Sequence, residues 1–341
     1  MRLLKTKLSV IVLFAVMACS MRMQAGPVDR YGALQVQDGR LTGRHGCPVV
    51  LRGMSLGWHN WWPRFYNADA VQWLHRDWGC TVIRAAMGVD VRKGYLERPE
   101  WSLRKVKNVV EAAIDEGMYV IIDWHTHDIH LDQALEFFTR MAREYGGYPH
   151  VIYEIFNEPD DETWPEVRAY SEALVRAIRA VDPDNIILVG SPHWCQDIHI
   201  AADTPLDGFD NIAYTVHFYA ATHGEWLRER CDHAREKGLA LFVSECGGME
   251  ANGDGDVDEV EWQNWMEWLE TGQVSWVIWT VSDKNETCSV LRRRAGSRGG
   301  WKEKHLKPWG VQSRSLIRHY AHEDEPGGVT PAPERDGHGV R

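Results

Sequence analysis

The chain has 341 residues, of which 44% are hydrophobic and 26% are charged, and this balance excludes a disordered, collagen-like or multi-span membrane protein. The net charge of −11 argues against a nucleic-acid partner, because phosphate contacts need a basic surface. The chain contains 17 tryptophans but only 8 phenylalanines. A buried indole N–H needs a hydrogen-bond partner, so this excess indicates either a tryptophan-rich core or flat rings that line a ligand groove.

Residues 1–25 have the order of a secretory signal: basic side chains, an apolar run over residues 8–18, and then small residues. The apolar run is too short to span a bilayer as a permanent helix. Met23-Gln24-Ala25 is a weak cleavage site, whereas Val16-Met17-Ala18-Cys19 loosely resembles a bacterial lipobox, which would place a lipid on Cys19. We expect either secretion to the periplasm or the medium, or membrane attachment at the outer surface through that lipid alone.

The predicted elements begin with a small β-hairpin, residues 34–36 and 40–42, around the turn Gln37-Asp38-Gly39. Short apolar runs then alternate with longer helical segments, and continuous apolar character suits parallel strands that are buried on both faces. The predicted strands cover residues 49–54, 81–86, 119–123, 151–156, 186–190, 212–217, 241–245 and 275–280. The predicted helices cover residues 68–78, 102–116, 132–145, 164–181, 196–202, 225–237, 259–270 and 307–320.

Strands that alternate with helices in this way predict an α/β fold, a (β/α)8 barrel, which needs roughly 250 residues. We therefore assign residues 26–322 to one catalytic domain and expect residues 323–341, rich in proline and glycine, to form a flexible tail.

Cys246 and Cys288 both lie just past neighbouring predicted strands, so we predict a disulfide between them in an oxidising compartment. The cysteines show no Cys-x-x-Cys spacing, which makes a zinc site improbable.

Barrels of this type carry their chemistry at the C-terminal ends of the strands. Glu158 and Glu245 each close an apolar run there, and a carboxylate at a dry barrel mouth is costly unless it is paired or used. A structural ion pair with Arg84 is one explanation. Two facing carboxylates also suit glycoside hydrolysis, in which one protonates the leaving oxygen and the other attacks the anomeric carbon. An arginine would keep the second ionised, and an apolar wall would keep the first protonated.

Seven motifs at these strand ends resemble glycoside hydrolase family 5, which includes many bacterial endoglucanases. They are Leu51-Arg52-Gly53-Met54-Ser55, Val82-Ile83-Arg84, Ile121-Ile122-Asp123-Trp124-His125, Ile155-Phe156-Asn157-Glu158-Pro159, His217-Phe218-Tyr219, Phe242-Val243-Ser244-Glu245 and Trp276-Val277-Ile278-Trp279. The resemblance covers about residues 34–320, and the run Ser282-Asp283-Lys284-Asn285-Glu286-Thr287 points to the bacterial cellulase branch.

The resemblance implies a retaining endo-β-1,4-glucanase that needs no cofactor or metal and acts on cellulose or related β-glucans. Glu158 matches the family's acid/base and Glu245 its nucleophile. The other implied roles are Asn157 at the sugar 2-hydroxyl, Arg84 and Tyr219 at the nucleophile, His125 and His217 lining the cleavage subsite, Trp279 as the platform under its sugar, and Lys284 and Glu286 toward the non-reducing end.

Two departures from the family pattern concern distal binding rather than the catalytic pair. Relatives often carry Ser-His-Gly after the first strand, where this chain has Leu56-Gly57-Trp58-His59-Asn60-Trp61-Trp62, and many have a tyrosine at the position of Gly88. We count His59, in place of the missing histidine, and Trp61, as a distal stacking ring, among the predicted substrate contacts. Trp58, Trp62 and Trp124 are further candidates for the groove, whereas Trp73, Trp265 and Trp268 lie on predicted helices and are expected to be ordinary packing.

Several alternatives stay open at this stage. His125-Thr126-His127 suggests a metal-dependent hydrolase by analogy, although Asn-Glu follows on the next strand where a further ligand would be needed. Asp254, Asp256 and Asp258 resemble a calcium loop, but the spacing fails the EF-hand pattern, so an acidic loop that caps the next helix is the better interpretation. A barrel that only binds carbohydrate is the alternative outside the enzyme class. β-Mannan, mixed-linkage β-glucan and xyloglucan are alternative substrates, and we expect a monomer.

Overall fold

The computed structural model describes residues 26–323, so the predicted leader and nearly all of the predicted tail lie outside the described residues. Eight parallel strands close into a barrel, preceded by an antiparallel hairpin. The hairpin strands are β1 (Gln35–Gln37) and β2 (Arg40–Thr42). The barrel strands are β3 (Arg52–Leu56), β4 (Val82–Gly88), β5 (Tyr119–His125), β6 (Val151–Glu154), β7 (Ile187–Val189), β8 (Ile212–Tyr219), β9 (Leu241–Gly247) and β10 (Ser275–Val281). Each barrel strand pairs with the next, and β10 pairs with β3 to close the ring, which confirms the (β/α)8 fold.

Helices alternate with the barrel strands as the pattern predicts, and one further short helix precedes the hairpin. They are α1 (Pro27–Tyr31), α2 (Ala68–Trp73), α3 (Pro99–Asp115), α4 (Leu131–Tyr145), α5 (Trp164–Arg179), α6 (Pro192–Cys195), α7 (Ile198–Asp203), α8 (Glu225–Glu236), α9 (Glu259–Gly272) and α10 (Pro308–Glu323). The predicted helix 196–202 is observed as α7, which begins two residues later, and the short α6 before it contains His193, Trp194 and Cys195 with left-handed backbone angles. None of the helices within residues 26–323 combines the length and apolar character needed to cross a membrane.

The barrel core consists of two layers that follow from the alternation of side chains along each strand. On β5, Ile121 points into the barrel, where it joins an apolar layer, whereas Val120 and Ile122 pack outward against the helices. The next inward positions toward the C-terminal end of β5 are Asp123 and His125, both buried. The polar positions therefore lie on top of a dry apolar layer, at the end of the barrel where chemistry was expected.

Two local predictions have opposite outcomes. The acidic loop does precede a helix: Asp258 accepts a hydrogen bond from the backbone N–H of Glu261 at 3.0 Å and caps α9. The disulfide prediction is wrong, because all six cysteines within residues 26–323 are free. The Cys246 and Cys288 thiols donate to different acceptors, the carbonyl of Val277 and the carboxylate of Glu286, each at 3.3 Å.

Gly53 tests how tightly the strands are packed. A Cβ at this position would lie 1.8 Å from the carbonyl oxygen of Val82 on the neighbouring strand, and backbone within a closed barrel cannot move aside. We expect Gly53→Ala to lower the free energy of unfolding by about 3 kcal/mol, measured by urea denaturation. Gly147→Ala is the control, since nothing lies within 4 Å of a Cβ there. Equal stability of the two variants would contradict this description of the barrel.

Candidate active site

The centre of the site is Arg84, the third residue of β4, which is completely buried. Its guanidinium donates to Glu154 through Nε at 2.7 Å and Nη2 at 3.2 Å, and to Glu245 through Nη1 at 2.8 Å. Nη2 also donates to the side-chain oxygen of Asn157 at 2.6 Å and lies 2.9 Å from Asp123 Oδ2. One cation on β4 therefore organises side chains from β5, from β6 and the residues just after it, and from β9.

Three carboxylates around one arginine leave an excess of negative charge, which the protonation states relieve. Burial raises the pKa of Asp123, so this group keeps its proton. Burial alone would also raise the pKa of Glu154, but Arg84 and His217 outweigh it and hold that pKa at about 2. Burial and Arg84 lower the pKa of His125, and Asp123 lies 2.6 Å from its Nδ1. A protonated Asp123 can thus donate to a neutral His125.

Glu245, at the end of β9, has both carboxylate oxygens bound by donors. One oxygen accepts from Arg84, and the other accepts from the Tyr219 hydroxyl at 2.6 Å. Burial and the nearby Glu158 raise the pKa of Glu245, while His217, Arg84 and the Tyr219 hydrogen bond lower it. These donors favour the ionised carboxylate and fix its orientation, as an attacking group requires.

Glu158 follows β6 and lies at the surface of the same pocket, with 15% of its side chain exposed. Its Oε1 pairs with His217 Nδ1 at 2.8 Å. A Glu158 oxygen, a Glu245 oxygen and a ring nitrogen of His217 all lie within 4.8 Å of one another. The two carboxylates therefore face a single small gap.

His217, on β8, connects Glu154, which is bound to Arg84, with Glu158 at the surface of the pocket. Its Nε2 lies 3.0 Å from Ser244 Oγ, which donates to Glu154 at 2.6 Å, while its Nδ1 faces Glu158. Burial would lower the pKa of His217, but its hydrogen bonds to Glu154 and Glu158 raise it to about 9. His217 is therefore an imidazolium at neutral pH and supplies the second cation of the site.

A groove of about 280 Å³ opens above this centre. The Trp279 and His125 rings are parallel, with their centroids 5.4 Å apart. One wall carries Trp58, Trp61 and Trp62, and the Trp58 and Trp61 rings are 4.8 Å apart. The residues that complete the lining are His127, Glu158, Tyr219, Glu245, Ala251, Asn252, Gly253, Thr280, Lys284, Glu286 and Cys288. Flat rings on the floor and wall with polar groups between them suit a sugar chain, which has apolar faces and hydroxyl edges.

Comparisons with known proteins agree with this geometry. A family model described as cellulase (glycosyl hydrolase family 5) matches residues 42–285. The chain is 42% identical to endoglucanase N of Pectobacterium atrosepticum, over 91% of this chain and 70% of that protein. The chain belongs to glycosyl hydrolase family 5. The resemblance read from the motifs is thereby confirmed.

Two other family 5 relatives show how similar this chain is to known enzymes in sequence and in structure. Endoglucanase A of Evansella cellulosilytica is 43% identical over 81% of this chain and 58% of its own length, so this chain spans little more than half of that protein. The solved catalytic domain of Thermobifida fusca endoglucanase Cel5A has a TM-score of 0.83 and 31% identity, covering 86% of this chain and all of that domain. A variant of that enzyme has been solved in complex with cellotetraose.

The structure brings most of the predicted site residues together. Glu158, Glu245, His125, Tyr219, Trp279, Lys284, Glu286 and Trp61 line the groove, and Arg84, Asn157 and His217 lie buried directly behind it. Lys284 and Glu286 form an ion pair with each other at one end of the groove. Trp61, which also lines the groove, is half exposed, as a stacking ring must be.

Two predicted positions are contradicted. His59 is completely buried, with Nε2 against Ser102 Oγ at 2.8 Å and Nδ1 accepting from the Gly88 N–H at 3.1 Å, so neither ring nitrogen is available to a sugar. Trp124 is also fully buried and packs against Tyr95, because its position on β5 points outward to the helices. Trp58, not His59, occupies the groove wall at this point.

Sequence reasoning missed Glu154 and Ser244. Glu154 lies inside what reads as one continuous apolar run, 151–156, and an acid at an inward position of a buried strand was the available signal. Ser244 precedes Glu245 and has no chemical signature of its own. His127 was noted only as part of a metal pattern, yet its Nε2 lies 3.7 Å from Glu158.

Two groups of donor atoms within residues 26–323 are close enough to hold a metal ion. One is the set Glu158, His217 and Glu245, whose donor atoms are already engaged with Tyr219, Arg84 and each other. The other is Asp90, Asp128 and His130, near the surface. The predicted pattern His125-Thr126-His127 belongs to neither group.

The Tyr219–Glu245 hydrogen bond gives a pH prediction. An attacking Glu245 must be ionised, so activity falls as pH drops through its raised pKa. Tyr219→Phe removes a donor that lowers this pKa, so the acid limb of kcat/KM should move upward by about one pH unit. Tyr95→Phe removes a hydroxyl remote from the groove and should leave the profile unchanged. An unshifted limb in Tyr219→Phe would contradict the assigned role of this bond.

Glu154→Gln tests the buried network. It removes an anion from Arg84 and His217 at nearly constant volume, and we expect a loss of about 3 kcal/mol in unfolding free energy near pH 7. The raised pKa of His217 contributes stability that is complete below its unfolded value, about 6.5, and is lost as pH rises through about 9. In Glu154→Gln this loss should begin at lower pH. Urea denaturation from pH 6 to 10, with Glu267→Gln as an exposed control, measures both effects, and identical curves would refute them.

Proposed function

We propose that the chain is a retaining endo-β-1,4-glucanase that cleaves internal bonds of cellulose or related β-glucans by double displacement. The observation that carries the proposal is the pair Glu158 and Glu245, whose nearest oxygens lie within 4.8 Å of each other in an aromatic-lined groove. Carboxyl groups this close suit direct attack, whereas inverting enzymes leave room for a water between them. The named endoglucanase relatives support the same activity.

In the first step, the ionised Glu245 attacks the anomeric carbon while Glu158 gives its proton to the glycosidic oxygen. The bond to the leaving sugar breaks, and an ester joins the remaining sugar to Glu245. Arg84 and Tyr219 hold the attacking carboxylate in place, since both of its oxygens accept from them. Imidazolium His217 orients Glu158 through its 2.8 Å contact.

In the second step, Glu158 takes a proton from water, whose oxygen attacks the same carbon and releases Glu245. The sugar leaves with its original anomeric configuration. Asn157 is suited to bind the 2-hydroxyl of the sugar. Its Oδ1 already accepts a hydrogen bond from Arg84, whereas its Nδ2 is buried without a partner among residues 26–323 and can donate to that hydroxyl. Such a donor strengthens its bond as charge develops at the neighbouring carbon.

The groove supports an internal mode of attack on a β-glucan. Trp279 and His125 bound the cleavage subsite, and Trp61 with Lys284 and Glu286 extends the binding surface toward the non-reducing end. A relative from Thermobifida fusca binds cellotetraose, a chain of the length that such a groove would hold. β-Mannan, mixed-linkage β-glucan and xyloglucan are the alternatives within the same chemistry.

We also propose that the enzyme is exported and acts as a monomer. The support for export is the order of basic, apolar and small residues in 1–25. A mature N-terminus directly after Ala25 would favour simple secretion, whereas a fatty-acylated Cys19 would favour a lipid anchor. Intact-mass measurement of the processed protein distinguishes them, and light scattering coupled to gel filtration tests the monomer.

Glu245→Gln and Glu158→Gln should each lower the rate of reducing-sugar release by about three orders of magnitude or more. Binding of the polymer, followed by affinity electrophoresis, should persist because the groove is unchanged. The rates are measured on carboxymethylcellulose, lichenan, mannan and xylan, with exposed Glu267→Gln as the control. Near wild-type turnover in either variant would contradict the catalytic roles assigned to Glu158 and Glu245. A wild-type protein that is inactive on all four polysaccharides would favour a barrel that only binds carbohydrate.

A further inference from the structure

We propose that residues 292–307 form a basic rim beside the groove that binds carboxylate groups carried on polysaccharide chains. The inference rests on the proposed function only in assuming that a β-glucan occupies the groove. The ligand class is a β-glucan that itself bears carboxylates.

The first observation is charge. Residues 292–307 contain seven lysines and arginines and a single acid, Glu303, in a chain whose net charge is −11. Seven cations with one acid create a local positive potential at this segment, opposite in sign to the net charge of the chain.

The second observation is that the charge is not neutralised. Arg293, Arg294, Lys302 and Lys304 are exposed, and their side chains make no ion pair or hydrogen bond to any residue in 26–323. Several arginines elsewhere on the surface are instead paired with carboxylates, for example Arg140 with Glu100 at 2.6 Å. Within the described part of the chain, the rim is thus a cluster of cations available to an external anion.

The third observation is rigidity. The loop is anchored by four buried side chains: Leu291, Ala295, Trp301 and Leu306. The Trp301 ring packs edge-on against Phe65 and Trp78, and the backbone N–H of Arg292 donates to the carbonyl of His305 at 2.9 Å. A fixed backbone reduces the ordering cost of binding, so the cations need only orient their own side chains.

The fourth observation is position. Arg64, two residues after Trp62 of the groove wall, donates to the loop carbonyl of Ala295 at 3.1 Å and pairs with Asp283 at 2.9 Å. From the other end of the loop, Lys307 Nζ donates to the backbone carbonyls of Lys284 and Glu286, whose side chains line the groove. The rim therefore borders the end of the groove that holds Trp62, Lys284 and Glu286.

This position selects the ligand. A polymer that lies in the groove passes the rim as it leaves, so substituents on that polymer are the anions best placed to meet it. Guanidinium groups bind carboxylates through paired N–H donors, which neutral hydroxyls match less well. A long free polyanion such as nucleic acid would be opposed by the net charge of −11 on the chain.

The test compares an anionic and a neutral form of the same substrate. Carboxymethylcellulose and hydroxyethylcellulose share the β-1,4-glucan backbone and differ in charge. In 10 mM buffer, Arg293→Glu/Arg294→Glu should raise KM on carboxymethylcellulose by about fivefold, with kcat little changed. KM on hydroxyethylcellulose should stay within about twofold. In 0.5 M NaCl the difference should vanish, because the screening length falls to about 4 Å.

Two further variants control for charge and for folding. Arg104→Glu/Arg143→Glu makes the same change of charge on the exposed faces of α3 and α4 and should leave both substrates unaffected. Arg293→Lys/Arg294→Lys should retain most of the preference for carboxymethylcellulose. Unfolding curves establish that each variant is folded.

Several outcomes would contradict the proposal that the rim binds carboxylate groups. They are an equal loss on both polymers, no loss on carboxymethylcellulose at low salt, a loss that persists in 0.5 M NaCl, and an equal loss in Arg104→Glu/Arg143→Glu. Binding to phosphatidylglycerol vesicles that depends on Arg293 and Arg294, without any effect on carboxymethylcellulose, would assign the loop to a membrane instead. Hydrolysis of hydroxyethylcellulose by the wild type tests the proposed function separately, so the two failures are distinguishable.

Discussion

The site depends on one buried cation. Arg84 has no exposed surface and is in contact with three carboxylates, Asp123, Glu154 and Glu245. Burying Arg84, Glu154 or Glu245 as a lone charge would cost several kcal/mol, so each is tolerated only because the others and their hydrogen bonds are present, while Asp123 keeps its proton. The members of the cluster therefore hold one another in place. Two hydrogen bonds to Glu154 fix the position of Arg84, and Arg84 in turn fixes the position of Glu245. In the attack that we propose for Glu245, a carboxylate held in this way needs no reorganisation.

The barrel supplies the geometry of this cluster. Parallel strands place their C-terminal ends at one face, and alternation turns every second side chain inward, so inward polar residues of β4, β5, β6 and β9 must meet. The apolar layer below them, which includes Ile121 and Phe242, excludes water and strengthens each interaction. His217 then links this buried cluster to Glu158 at the surface, so the two carboxylates that face the gap share one electrostatic network while differing in exposure.

The same alternation explains what could be predicted from the sequence. Polar residues at strand ends were identifiable because the apolar runs stop there, and the motifs around Glu158 and Glu245 were specific enough to assign the family. Glu154 was missed because a single inward acid does not interrupt an apolar run. Trp124 and His59 were misplaced because sequence proximity to the barrel mouth does not reveal which way a side chain points. The tryptophans divide accordingly: Trp61 and Trp279 line the groove, whereas Trp265, Trp301 and Trp309 are buried packing.

The electrostatic interactions at the buried centre of the site differ from those at the rim beside the groove, and the difference has consequences for substrate use. At the centre, every charge is paired within about 3 Å in a medium from which salt is excluded, so ionic strength should scarcely alter the chemical step. At the rim, the cations of residues 292–307 face solvent and act over a screening length of about 8 Å at physiological salt. Substrate capture and catalysis therefore respond to different physical variables. A substituted, charged glucan can be held more or less tightly as salt changes while the bond-breaking machinery stays the same, which separates selection of the polymer from cleavage of its backbone.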